Sequence, residues 1–112
     1  MARKVNVVES VKRYLSRNGE GLMKKITVVA LRELANGPMT TSELHVKVVS
    51  ELKQPVKATL LRYVLHRLEK NGVVKSENLL FTRSLLWSLN LSRRDAEELQ
   101  KLLEKTSLPR SS

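Results

Sequence analysis

Apolar positions recur at helical spacing along most of this chain and switch to an extended pattern only after Gly72. Val5, Val8, Val11 and Leu15 predict a first helix over about residues 4–17. The glycines of the Arg17–Gly21 stretch stop it, because they break helices and permit positive φ. Ile26, Val29, Ala30 and Leu34 predict a second helix from Leu22 to Ala35, closed by Asn36, Gly37 and Pro38. Thr40 and Glu43 have the spacing of a capping box, and Leu44, Val48 and Leu52 follow at four-residue intervals. A short third helix is therefore expected over Thr41–Lys53. Lys53, Gln54 and Pro55 form a tight connection to a fourth helix, expected from Pro55 to about Asn71 and ended by Gly72. Proline suits the first helical position, where its missing N–H costs nothing.

Beyond Gly72, Val73–Glu77 and Leu85–Asn90 are short, extended in character and separated by Asn78–Ser84, which predicts a β-hairpin with a loop. Ser92, with Asp95 three residues on, caps a last helix whose apolar face is Ala96, Leu99, Leu102 and Leu103, and Leu91 is placed for a hydrophobic staple onto Ala96. The order helix, helix, short helix, turn, helix, hairpin, helix predicts a mainly α fold of the α+β class with a small β-hairpin. It divides into an N-terminal amphipathic helix and turn (1–20), a central domain (21–91), a C-terminal helix (92–106) and a flexible tail (107–112). Both terminal helices carry apolar stripes that the central unit is not expected to cover on one protomer. A homodimer is therefore expected, with Leu99, Leu102 and Leu103 at its interface.

Composition sharpens this picture in two ways. The 112 residues bound the chain to one domain with an extra helix at either end, and only Tyr14, Tyr63, Phe81 and Trp87 are aromatic, so the core is aliphatic. The net charge of +10 is large for that length and points to a polyanionic partner. The excess is localised. Ser92–Lys105 sums to zero, with four basic residues against four acids, whereas Lys53–Lys75 holds six basic residues against Glu69 alone, a net +5. The first 17 residues hold five basic residues against Glu9, a net +4. The absence of Cys excludes a disulfide framework and thiolate metal sites. No apolar run approaches the roughly 18 residues of a membrane span, and charges interrupt the basic N-terminus before any signal-peptide apolar region develops. A cytoplasmic, nucleoid-associated protein is expected.

The fourth helix carries the candidate chemistry. At 100° per residue, Val56, Leu60, Leu61, Val64, Leu65 and Leu68 occupy one half of the wheel, and Thr59, Arg62, Tyr63, His66 and Lys70 the other. Arg pairs with guanine, Thr and Tyr donate to phosphate, and Thr touches the thymine methyl. Lys53, Lys57, Lys70 and Lys75 are the candidate phosphate contacts. The alternative for Tyr63 is packing against Arg67 or Lys70, and for His66 an ordinary surface position.

The stretch from Thr40 to Ser92 resembles a winged helix-turn-helix domain of the kind common among bacterial and archaeal transcription regulators. The resemblance rests on the capped short helix (Thr40, Glu43, Leu44), the tight turn at Pro55 and the run Leu68–Glu69 to Gly72–Val73–Val74, and it covers about residues 22–91. It implies a helix-turn-helix that presents its second helix, 55–71, to the major groove, followed by a two-stranded wing. The loop Asn78–Ser84 departs from the family pattern. Arg83 alone suits phosphate or minor-groove contact, while Leu79, Leu80 and Phe81 suit burial against another element or across a dimer interface.

The leading expectation is a double-stranded DNA-binding protein, a dimeric transcription regulator, with no cofactor, no metal and no enzymatic activity. No nucleophile elbow, phosphate loop, paired-carboxylate site or His-Glu metal motif occurs. A metal site from His45 and His66 lacks clustered carboxylates, and Trp87 reads as core among Leu85, Leu86 and Leu89 rather than as a stacking platform. The rivals are a winged-helix module that docks onto a transcription or replication complex through the apolar wing, and a sequence-tolerant chromatin or RNA-binding protein. A membrane-surface role for the first helix lacks Trp and Phe anchors.

Overall fold

The computed structural model describes residues 9, 11–13, 21–79 and 84–105. Its elements are α1 (Leu22–Ala35), β1 (Met39–Thr40), α2 (Thr41–Leu52), α3 (Ala58–Lys70), β2 (Val74–Asn78), β3 (Leu85–Leu89) and α4 (Arg93–Lys105). The strands form an antiparallel sheet in the order β1-β3-β2. This is an α+β winged helix-turn-helix with an added C-terminal helix. Of the expected first helix, positions 9 and 11–13 are helical, and Val11 is buried in the common core.

α1 is apolar nearly all round over Ile26–Leu31, the pattern of a helix enclosed on every side. It packs against α2, α3, α4 and β3. Its one buried polar side chain, Thr27, returns its hydroxyl proton to the Met23 carbonyl at 2.8 Å, so no buried donor is orphaned there.

α2 starts on the expected capping box. The Glu43 amide donates to Thr40 Oγ1 at 3.2 Å, and the Thr40 amide donates to Glu43 Oε1 at 3.0 Å. At its other end Lys53 takes a left-handed conformation (φ 54°, ψ 36°) while its amide still donates to the Val49 carbonyl. The sharp reversal there turns the chain toward α3.

The start of α3 differs from expectation. The helix begins at Ala58, not Pro55. Lys57 is the N-cap residue in extended conformation (φ −69°, ψ 136°). Two tertiary contacts hold the chain out of the helix. Val56 is buried in the core, and its carbonyl is bonded to Nε2 of His45 on α2. A carbonyl engaged sideways by His45 is not free to open a helical ladder.

α3 ends as the sequence predicts. The Val73 amide reaches the Leu68 carbonyl at 2.9 Å and the Gly72 amide reaches the Glu69 carbonyl at 3.0 Å, with Gly72 at φ 78°. That is the Schellman arrangement, which needs a left-handed residue after the C-cap. The chain then enters β2 with Val73 and Val74 buried. The predicted hairpin is present, and it gains a third strand that was not expected, because β1 is only two residues long. β1 pairs Met39 with Trp87 and Thr40 with Leu86. The base of the hairpin is closed by the Asn90 amide on the Val73 carbonyl at 2.9 Å.

α4 is capped by Ser92, whose hydroxyl accepts from the Asp95 amide at 3.2 Å. Leu99 (1% exposed) and Leu103 (2%) are buried in the core of this same chain, where α4 packs on α1, and Leu102 is half-buried. One protomer thus buries Leu99, Leu103 and Val11, while Ala96 and Leu102 of the α4 stripe stay half-buried and Val5, Val8 and Leu15 of the first stripe lie outside the described residues.

Candidate nucleic-acid interface

α3 is divided sharply along its length. Leu61, Val64, Leu65 and Leu68 are buried, while Thr59, Arg62, Tyr63, His66, Arg67 and Lys70 are exposed. The buried row fixes the helix rigidly, and the exposed row is a surface of hydrogen-bond donors. Lys57 at the helix start and Lys75 on β2 are exposed as well, and Lys53 lies exposed in the turn before α3. Among the described residues, no carboxylate forms an ion pair with Lys57, Arg62, Arg67, Lys70 or Lys75.

Glu69, the single acid of this segment, is engaged elsewhere. Its Oε2 accepts the Ser76 hydroxyl of β2 at 2.6 Å, and its Oε1 lies 3.6 Å from Nδ1 of His66. The carboxylate is held toward the sheet, not over the cationic face. It also ties the C-terminal half of α3 to the first wing strand.

His66 is exposed but not free. Its ring meets the Trp87 indole edge-on, with centroids 5.3 Å apart. Trp87 itself is fully buried, and its indole N–H donates to Thr41 Oγ1 at 2.8 Å. The tryptophan therefore joins β3 to the first residue of α2, and His66 covers it from α3. His66 belongs to the packing between α3 and the wing, and only its outer side faces the donor row.

Tyr63 is 52% exposed, and the Arg67 guanidinium carbon stands 5.8 Å from the centroid of its ring. Arg67 was not among the residues picked from sequence, because its place on the wheel borders the apolar half. The sequence names it only as a packing partner of Tyr63, on their four-residue offset, the distance at which helix side chains meet, and that contact is the one observed. Leu79 is half-buried at the start of the wing loop. Arg83, Leu80 and Phe81 lie outside the described residues, so the wing-contact expectations on them are not addressed. Among the described residues, no group of three or more His, Cys, Asp or Glu could hold a metal ion, and no helix is long and apolar enough to cross a membrane.

No protein-family model matches the sequence, and no curated protein matches it. Among solved structures, a transcriptional regulator from Clostridium thermocellum matches with a TM-score of 0.58 at 22% identity, over 72% of this chain and 79% of that one. That likeness extends to the fold.

Proposed function

We propose that this chain binds double-stranded DNA with the exposed face of α3 in the major groove and acts as a small transcription regulator. The observation that carries the reading is the row Thr59, Arg62, Tyr63, Arg67 and Lys70 on a helix whose other face is locked into the core, with the nearby acid turned away into the wing. Unpaired cations on a rigid, convex element are what phosphate and base-edge contact requires. The shared fold with a transcriptional regulator agrees with this use. Lys53, Lys57, Lys70 and Lys75 supply phosphate contacts, and Arg62 and Thr59 supply base contacts. A homodimer would set two such helices about 34 Å apart on one face of the duplex. Because Leu99 and Leu103 are already covered within one chain, an interface on α4 would be reached through Leu102 and its exposed neighbours.

The test is fluorescence anisotropy with labelled duplexes across a salt series. Affinity is expected to fall steeply with salt, and Lys57→Ala to flatten the slope by about one unit on every duplex. Arg62→Ala is expected to cost about 1–3 kcal/mol on a preferred site and much less on mixed-sequence DNA. Equal losses on both would mark a backbone binder of the chromatin type. Indifference of duplex binding to salt and to both variants would overturn the groove mechanism in favour of a protein-docking module.

A further inference from the structure

Of the two large apolar side chains left exposed among the described residues, Val46 (66%) stands on α2, and the other is Tyr63 on the proposed reading face. A half-exposed tyrosine in a row of cations is either a contact in its own right or a support for a neighbour. Its geometry favours support. Side chains on a helix lean toward its N-terminus, so a residue reaches back over the turn that precedes it. Arg67 does so here, and its guanidinium lies over the Tyr63 ring at 5.8 Å. This cation-π contact holds the charge one turn closer to the start of α3 than its own position in the sequence would place it.

We infer that Tyr63 is a positioning residue that pre-orients Arg67, and that Arg67 is a second DNA-reading residue alongside Arg62. This rests on the DNA-binding reading above. A guanidinium held over an aromatic ring by its charge makes no hydrogen bond to that ring, so its N–H groups remain available to other acceptors. Those groups match two acceptors lying in one plane, presented either by the O6 and N7 of guanine or by two oxygens of a phosphate. The contact also limits the rotamer freedom that a long, exposed arginine would otherwise lose on binding. Among the described residues no carboxylate pairs with Arg67, so none of them competes for the same N–H groups.

The experiment is a double-mutant cycle on the full chain, read by anisotropy on a preferred duplex and on a mixed-sequence duplex. Circular dichroism melting confirms that each variant folds, which the exposure of both side chains makes the expected result. Arg67→Ala is expected to weaken binding about 5- to 150-fold. Tyr63→Leu is expected to weaken it about fivefold, while Tyr63→Phe, which keeps the ring and loses the hydroxyl, binds within about twofold of the parent. In the Arg67→Ala background, Tyr63→Leu should change affinity by less than about twofold, because the positioned group is gone. A larger Arg67→Ala loss on the preferred site assigns the contact to guanine. An equal loss on both duplexes with the salt slope flattened by about one assigns it to phosphate. Three results would overturn the inference while leaving the DNA-binding reading intact: Tyr63→Phe as damaging as Tyr63→Leu, additive losses in the double variant, or no effect of Arg67→Ala. Absence of duplex binding by the unaltered protein refutes the DNA-binding reading itself, and the inference with it.

Discussion

The contact between Trp87 and Thr41 is where the wing is fastened to the helix-turn-helix, and Thr41→Val probes it cleanly. Valine keeps the β-branched shape of threonine and replaces only the hydroxyl, so helix propensity and volume at the first residue of α2 barely change. What changes is the partner of the indole N–H. Trp87 is fully buried, and the structure gives its N–H one acceptor, Thr41 Oγ1 at 2.8 Å. With that oxygen gone, the buried donor loses its partner at a cost of about 1–3 kcal/mol. Thr41 is half-buried, so burying a methyl there in place of the hydroxyl offsets little. A loss of about 2 kcal/mol is expected, while Thr41→Ser, which keeps an acceptor, stays within about 1 kcal/mol of the parent.

Trp87 is the only tryptophan in the chain, so its fluorescence reports urea unfolding directly. The midpoint should fall for Thr41→Val at an unchanged slope. The same substitution in a Trp87→Phe background, followed by far-UV circular dichroism, should cost less than about 0.5 kcal/mol because no indole N–H remains to be orphaned. If Thr41→Val lies within about 0.5 kcal/mol of the parent with Trp87 intact, the buried donor has another partner and the fastening argument fails.

Leu99→Ala and Leu103→Ala should each cost about 2–5 kcal/mol in thermal or urea unfolding, since both side chains are buried in the core rather than waiting for a second copy. Leu102→Lys, at the half-buried position beside them, is the variant that addresses assembly; a dimer mass unchanged in sedimentation would remove α4 from the interface. Gly72→Ala should destabilise by about 1–2 kcal/mol, because Gly72 sits at φ 78° with nothing within 4 Å of a new Cβ, leaving backbone strain as the whole effect in an equilibrium unfolding curve.

Much of this fold can be read from the chain because its local signals agree with its long-range packing. The bounds of α1, the Thr40–Glu43 capping box, the stop at Gly72, the two hairpin strands and the Ser92 cap each depend on residues adjacent in sequence. The misreadings have the opposite character. β1 is two residues whose strand identity comes from Trp87 and Leu86, some 46 positions away. The Pro55 start failed because the bond from His45 to Val56 is a tertiary contact that local proline preference does not register. The burial of Leu99 and Leu103 depends on α1 being apolar nearly all round over Ile26–Leu31, whereas the spacing of Ile26, Val29, Ala30 and Leu34 marks only one face of that helix. On the candidate interface, the wheel found Thr59, Arg62, Tyr63 and Lys70 on the exposed face. Arg67 entered only as the alternative packing partner of Tyr63, a contact that is present, and His66 was given no role in packing, because both depend on what the side chain reaches rather than on the direction of its Cα.

The late start of α3 also decides which of its side chains stand where a base edge could be read. A helix in the major groove reads with its N-terminal residues. Counted from Pro55, Tyr63 would be ninth and Arg67 thirteenth, near the exit of the groove. Counted from Ala58, Thr59 is second, Arg62 fifth and Tyr63 sixth, so all three fall within the first two turns, about 9 Å of helix rise. Arg67 is tenth, but its guanidinium leans back over Tyr63 and so delivers its charge near the second turn. Lys57 is moved out of the helix to the N-cap, at the positive end of the dipole, where its charge adds to that of the first amides, which the proposed docking would turn toward the duplex. Held by His45 on the Val56 carbonyl and by the burial of Val56 itself, the three non-helical residues before α3 bring the cationic row forward into the half of the helix that the proposed docking would insert.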